Sequence, residues 1–526
     1  MTIASLPLSE DYWKSFTISK IDIEFINNYL FENEVPLSAK DLVPLIISER
    51  IHQEKLLALK KQKDLGKVYL PGEKFQLGER LVFKQFDWKE GKVTEIRPGV
   101  NPNIGEFQVI TVEFEGAEPR LFAGGLPDHK LTQLQMEDST FGNSGIEGIL
   151  NTYGFNIETK LISALANEGG LVRIAGKWFT KALLIDISQG HLNLAEAVLD
   201  EANGTPLSTT SILDKVEISG NINKNLLEFS MNFALQEDDR FDEIGPAGEV
   251  LWCLERLEPE GVRKIPEQLR YKPLEYDESV LTDQMRSLEV ELDDELSDFE
   301  GLEPNLSEST TISLTFPHWR AGTFPVSNKV KPLIPFAYES ERIRFTLVDQ
   351  KTKDEIPAWV VRKNKYIYGL KDYFEKNGLI PGSMITIRKS SIPGKVLIEA
   401  KIRRPTKEWV RTVLVGRDGG IVFAMLKQNI STDYNERMVI AVPDVENLDI
   451  AREKFAKSKT SFEDGVSTIM RGLTRLNLQG HIHAQELYSA INVVMRCPPA
   501  PLLSLLNSAD KFKHVGDLHF RIEEAV

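Results

Sequence analysis

His481-Ile482-His483 offers two imidazoles two residues apart, but a metal would need further ligands at a recognisable spacing. No Cys or carboxylate supplies them, so the pair reads as a helix cap and a ring beside the core. Asp128-His129 pairs an acid with an imidazole but has no nucleophile motif to serve. Asp349 and Glu355 bracket Lys351 and Lys353, whereas a nuclease arrangement places its lysine after the second acid. Glu291, Asp293, Asp294 and Glu295 could gather a magnesium ion, but no lysine on a neighbouring strand accompanies them, and they read as linker. Glu168-Gly169-Gly170 is too short to cradle a phosphate, and neither a Walker A loop nor GxGxxG occurs. The expectation is a non-enzymatic protein without metal or cofactor.

The elements that would position any site fall into blocks. At 526 residues the chain is too long for one hydrophobic core. Residues 1–65 read as helical, with Ile23, Ile26 and Leu30 on one face and Ser38 capping a second helix that carries Leu42, Leu45 and Ile46. A separate charged helix is expected over Gln53–Lys63. Residues 67–131 switch to short alternating runs such as Arg80-Leu81-Val82-Phe83, with turns at Arg97-Pro98-Gly99 and Asn101-Pro102-Asn103, which predicts a small SH3-like barrel. A polar linker is expected at 132–147. Helices and a hairpin recur over 148–260 and 461–526. Residues 310–405 read as a strand-rich barrel, and 406–460 as a hairpin around Arg417-Asp418-Gly419-Gly420 plus a connector. Trp178 and Trp252 read as core aromatics. The fold class expected is multidomain α+β, winged-helix-like modules combined with small β-barrels.

Charge is segregated. The net charge is −15, yet residues 312–412 hold twenty Lys and Arg against nine Asp and Glu. Residues 190–258 hold four against fourteen, and residues 272–303 two against twelve. The stretch 272–305 therefore reads as an acidic linker, with the sharper option of a tether screening the basic segment. An acidic 190–258 surface would repel phosphates, so that module is expected to bind protein rather than DNA. Cys253 and Cys497 lie far apart and form no disulfide framework. The N-terminus lacks a basic region followed by an apolar core, and no apolar run is long enough to span a bilayer. A cytoplasmic protein with no membrane contact is expected.

Three blocks share one pattern before their second helix: Leu37-Ser38-Ala39-Lys40-Asp41-Leu42, Leu207-Ser208-Thr209-Thr210-Ser211-Ile212 and Ile482-His483-Ala484-Gln485-Glu486-Leu487. One apolar residue plugs the core and the next caps the helix. The second and third blocks resemble HARE-type winged helices, including the N-terminal domain of the bacterial RNA polymerase delta subunit. The matching runs are Ala234–Phe241, ending in a wing at Trp252, and Phe512–Phe520. The resemblance implies RNA polymerase as one partner. The first block shows no wing of its own.

The segment 322–389 carries a strand Trp359, a basic run Arg362-Lys363-Asn364-Lys365, Gly369 before a short helix with Phe374, and then Asn377-Gly378-Leu379. It resembles the DNA-binding pseudobarrel of plant auxin-response-type transcription factors, a fold shared by effector domains of some restriction enzymes. Gly369-Leu370 stands where the family usually has Gly-Trp, and Gly382-Ser383 where it has Gly-Asp. The resemblance implies two arms gripping the major groove of double-stranded DNA. The first maps onto Trp319, Arg320, Thr323, Asn328 and Lys329, and the second onto Arg362, Lys363, Asn364 and Lys365. Arg and Asn can contact base edges bidentately, and Lys neutralises phosphate. The expected function is a DNA-associated regulatory or adaptor protein. The alternatives are a recognition subunit of a restriction or defence system and a scaffold that binds only proteins.

Overall fold

The computed structural model describes residues 10–65, 67–83, 86, 89–101, 105–127, 129, 143–216, 218, 223–297, 307–458 and 460–523. Asp128, residues 132–142 of the expected linker and residues 298–305 of the acidic stretch lie outside the described residues. The chain is a multidomain α+β protein of two compact units, Met1–Ile185 and Asp186–Val526.

The first unit begins with α1 (Glu10–Lys14), α2 (Lys20–Asn33), β1 (Leu37–Ser38) and α3 (Ala39–Leu65). Ser19 caps α2 in a reciprocal box with Asp22, whose carboxylate also takes Arg50 of α3 at 2.6 Å. The expected break before Gln53 is absent, and α3 runs unbroken to Leu65. There follow β2 (Lys67–Val68), β3 (Arg80–Phe83), β4 (Lys89–Pro98), β5 (Gln108–Phe114) and β6 (Arg120–Gly124), a sheet in that order. Tyr69 donates to the Ala123 carbonyl at 2.6 Å, and the Leu126 amide to Pro71 at 2.7 Å, bringing the end of the sheet back to its beginning. Then come α4 (Asn143–Ala166), β7 (Leu171–Ile174) and β8 (Lys177–Thr180).

This last hairpin corrects the expected boundaries. Leu37 pairs with Trp178 and Ser38 with Lys177, giving a sheet ordered β1-β8-β7. Ile157 and Leu161 of α4 share one core with Ile26 and Leu30 of α2 and with Leu42 and Ile46 of α3. Residues 1–65 are thus not a domain by themselves. Their third helix and hairpin arrive after the inserted β2–β6 sheet, and residues 148–185 belong here rather than to the 148–260 module. Residues 143–147 of the expected linker lie in α4.

The second unit opens with α5 (Gln189–Glu201), β9 (Leu207–Ser208), α6 (Thr209–Leu213), α7 (Lys224–Gln236), β10 (Phe241–Glu243) and β11 (Leu251–Leu254), the same helix–strand–helix–helix–hairpin plan. The buried Trp252 Nε1 donates to Asn232 at 2.9 Å. After α8 (Glu260–Arg263) and α9 (Asp283–Leu292) comes the basic segment: β12 (Ser309–Ser313), α10 (Phe316–Ala321), β13 (Thr323–Pro325), β14 (Arg342–Asp349), β15 (Glu355–Val361), β16 (Tyr366–Tyr368), α11 (Lys371–Lys376), β17 (Met384–Lys389) and β18 (Lys395–Ala400). Its seven strands form a curled half-barrel ordered β12-β17-β18-β14-β15-β16-β13 around Phe324, Ile343, Leu347, Val360, Ile367 and Ile398.

A two-stranded ribbon follows, β19 (Ile402–Val415) with β20 (Ile421–Thr432), then α12 (Val445–Lys457). The third module is α13 (Phe462–Thr474), β21 (Ile482–His483), α14 (Ala484–Val494), α15 (Pro499–Ser508), β22 (Phe512–Gly516) and β23 (His519–Ile522). At Gly382, φ is +96° and a Cβ would lie 2.4 Å from Val439 Cα, so only glycine lets these backbones meet. The buried Ser383 Oγ lies 3.0 Å from Thr432 Oγ1, joining the half-barrel to the ribbon. Among the described residues no single helix is long and apolar enough to cross a membrane.

The acidic stretch is a second correction. Leu281, Met285 and Leu288 of the α9 region are buried in the core of the third module with Leu487, Leu503 and Leu506. Asp293, Asp294 and Glu295 are buried too. Described residues 281–297 therefore pack one face into that core, while 272–280 stay mostly exposed. A charge count along the chain does not register that distant cations neutralise these acids.

Candidate nucleic-acid interface

The first expected arm is largely enclosed. Trp319 on α10 donates from Nε1 to the Leu379 carbonyl at 2.7 Å. Arg320 forks onto Asp449 of α12 at 2.7 and 3.0 Å. Thr323 is fully buried, with Oγ1 2.9 Å from His318 Nδ1. Lys329 donates to the carbonyls of Val290 and Glu291, at 2.8 and 3.2 Å, at the negative end of α9. Its backbone amide turns to Asp293. Asn328 is half-buried and borders the cleft, while the half-buried Trp319 and Arg320 line a separate open pocket with Lys371 and Phe374. Trp319, Arg320 and Lys329 fasten the half-barrel to the Leu379 loop, α12 and α9, while Thr323 bonds within the arm to His318, so these four side chains expected to face DNA already have partners inside the chain.

The second arm stays at the surface. Arg362, Lys363 and Lys365 are exposed and Asn364 is half-buried. The four residues form the turn between β15 and β16, closed by the Lys365 amide on the Arg362 carbonyl at 3.3 Å. Arg362 is oriented by donating to the Ser340 carbonyl at 2.7 Å. The Val326 amide binds the Lys365 carbonyl at 2.8 Å, fixing the turn against the 326–341 loop. Between turn and loop lies an open cleft of about 600 Å³. Asn328, Lys331, Arg362, Lys363 and Lys365 line it, with Glu339 and Glu341. Phe336 is also in the lining, 63% exposed and edge-on to Tyr338 with ring centres 5.6 Å apart. The sequence reading missed Lys331, Phe336 and Tyr338, although they directly follow the first arm in a Pro-rich loop. Asp294 and Glu295 also border the cleft but are engaged by Arg496 behind it.

Several arginines of 312–412 point inward, while most of its lysines stay exposed. Arg342 meets Asp242 at 2.8 Å, Glu258 at 3.0 Å and Glu255 at 3.4 Å, all from the acidic second module. Arg344 donates from its side chain to Gly204 at 2.5 Å, and its amide binds Ile244 at 2.8 Å. Arg411 pairs with Glu486 at 2.7 Å. The hairpin of the acidic module thus docks on the half-barrel of its own chain, where Ile244 and Cys253 pack with Trp359, Val361 and Tyr366. That edge of the module is engaged within the chain.

At this junction Glu243 accepts from Ser340 Oγ and from the Gly245 amide. Burial pushes its carboxyl up to about 7, against the pull of those hydrogen bonds. The folded state then holds a proton that the unfolded chain has released. Stability therefore falls as pH rises from about 4.3 to about 7, by roughly 3–4 kcal/mol, and levels off above. Glu243→Gln is expected to remove that slope. Urea unfolding at pH 5 and pH 8 reads it, and an unchanged slope would exclude Glu243 as its source.

The ribbon carries a feature the sequence reading did not single out. Residues 401–432 hold seven Lys and Arg against two Asp and Glu. Trp409 is 61% exposed, and Lys427 Nζ lies 5.4 Å from its ring centre. Lys407, two residues before Trp409 in an alternating strand, was the available signal. Among the described residues no group of three or more His, Cys, Asp or Glu is placed to hold a metal. His483 Nδ1 caps α14 by accepting from the Gln485 amide at 3.1 Å. No protein family, no curated protein and no solved structure matches the chain.

Proposed function

We propose that the chain is a non-enzymatic, DNA-associated regulatory or adaptor protein that holds duplex DNA at the cleft beside the Arg362–Lys365 turn. The observation that carries this is selective exposure. Neighbouring arginines of the half-barrel turn inward to carboxylates, while Lys363 and Lys365 face solvent beside Lys331 and an exposed aromatic. Cations on a preorganised turn suit phosphate, which positions a protein on DNA without reading sequence. Arg362 and Asn364 are the groups of this turn able to reach base edges. Because Trp319, Arg320, Thr323 and Lys329 are engaged internally, the grip is one arm with Asn328 at its margin. The winged-helix-like modules would then serve as protein-docking or positioning elements, with RNA polymerase a partner by resemblance alone.

The test is a gel shift of the full chain with a mixed-sequence duplex across a salt series. Lys363→Glu with Lys365→Glu is expected to lower affinity roughly tenfold or more. The log–log salt slope should become shallower by about 0.9 for each phosphate contact removed. Arg362 is left intact because it braces the loop. Unaltered affinity and slope would rule out this cleft as the binding surface.

A further inference from the structure

We infer that the β19–β20 ribbon is a second, separate surface, and that it takes unpaired nucleotides by stacking a base on Trp409. Register defines the face. Trp409 stands opposite Lys427, Lys407 opposite Asn429 and Arg411 opposite Met425, so Lys407, Trp409, Met425, Lys427 and Asn429 share one side. Toward the turn, the same side buries Val413 and Phe423 in the core of the third module. The opposite side anchors the ribbon through Val410 and Ile430, which pack with Val439 and Ala441. The ribbon is therefore held rigidly while its outer half lies open.

Trp409 leaves 61% of its surface exposed, with Lys427 as the cation over its ring. A tryptophan is rarely left this exposed, because its ring contributes so much to burial. The open half carries Lys407, Lys427 and Asn429, and beside Trp409 on the same side Arg411 is already paired with Glu486 at 2.7 Å. The nearest acid along the strand, Glu408, projects to the other side, 4.0 Å from Arg403. A flat aromatic ring flanked by cations and lacking an apolar groove complements a base face joined to phosphates. A duplex keeps its base faces stacked, so the ligand is single-stranded. The ribbon also lies away from the cleft. β14 starts at Arg342, bonded across to Val361 just before the cleft turn, and ends at Asp349 beside Ile398, just before the ribbon. The two surfaces sit at opposite ends of the half-barrel, and this inference does not rest on the duplex reading.

The experiment titrates the full chain with oligothymidylate and with a blunt duplex of equal length. Trp409→Ala is expected to weaken oligothymidylate binding by roughly five- to a hundredfold, the effect of losing one stacked base. Trp409→Phe should restore most of it, and the duplex affinity should not change. Lys363→Glu with Lys365→Glu should leave oligothymidylate binding intact, so failure of either surface shows separately. The inference is overturned if Trp409→Ala binds oligothymidylate as well as the parent. Equal competition by polyglutamate would overturn it too, since charge alone would then explain binding. So would concentration-dependent dimerisation, without nucleic acid, that Trp409→Ala abolishes.

Discussion

Methionine in place of Arg496 is expected to destabilise the second unit by about 3–5 kcal/mol, the range seen when one partner of a buried ion pair is removed. The Arg496 side chain is 1% exposed and reaches Asp294 at 2.5 and 2.8 Å and Glu295 at 2.7 Å. Tyr488 donates to the same Asp294 carboxylate, and His318 Nε2 lies 3.1 Å from Glu295, off the hydrogen-bond axis. Burial pushes the Glu295 carboxyl up. Arg496, and after it His318, more than reverse this and hold it below the usual carboxylate range. The stability from that depressed carboxyl is complete above about pH 4.3 and lost as pH falls further. Without Arg496 the desolvation has no sufficient opponent, and two carboxylates remain buried in a core. Calorimetry of the full chain should show the transition that reports 186–526 moved to lower temperature. Proteolysis should open the 278–297 connector. A loss below about 1 kcal/mol would mean that solvent reaches these carboxylates in the folded protein, contrary to their burial.

That cluster also marks what a linear reading can and cannot extract. The helix starts were legible because caps are local. Asp41 donates its amide to Ser38 Oγ at 3.2 Å, Ser211 to Ser208 at 3.2 Å and Gln485 to His483 at 3.1 Å, each within three residues of the cap. Strand alternation in β14 was legible for the same reason, since burial there switches at every residue. The wing of the first module was not legible. Trp178 pairs with Leu37 across an inserted sheet, and nothing in a four-residue hairpin strand specifies its distant partner. The acidic stretch misled because a sum of charges treats Asp294 as solvated, whereas its counter-ion comes from Arg496, about two hundred residues on. The first arm misled differently. Trp319, Arg320 and Lys329 are the residue types DNA contacts would use, but the same donors equally suit a carbonyl, Asp449 or a helix end. Only the packing decides between these uses.

Arg342→Met should reveal what the opposite charges of the second module and the half-barrel do for each other. Arg342 is 17% exposed at its side chain and stands between Asp242 and Glu258, the latter fully enclosed. Burial raises both carboxyls above their usual range, while Arg342 pulls them down. Removing the guanidinium leaves two acids side by side in a desolvated junction. At pH 8 the expected loss is about 3 kcal/mol, at the lower end of that for a broken buried pair. At pH 5 the loss should be distinctly smaller, because Asp242 can then take up a proton as well, whereas Glu258, held up to about 9, keeps its proton at both pH values. The sign follows from linkage. These groups have folded pKa values above their unfolded ones, so the folded state binds more protons and stability declines as pH rises through that interval. Urea unfolding of the variant and the parent at both pH values measures the difference, and an equal loss at pH 5 and pH 8 would contradict it. If the pH-dependent loss occurs, Arg342 adds charge pairing to a junction that Ile244, Cys253, Trp359 and Val361 also pack, and part of the module's negative surplus acts within the chain. The half-barrel would then present to an outside phosphate only the cations this docking leaves exposed, Lys363 and Lys365 among them.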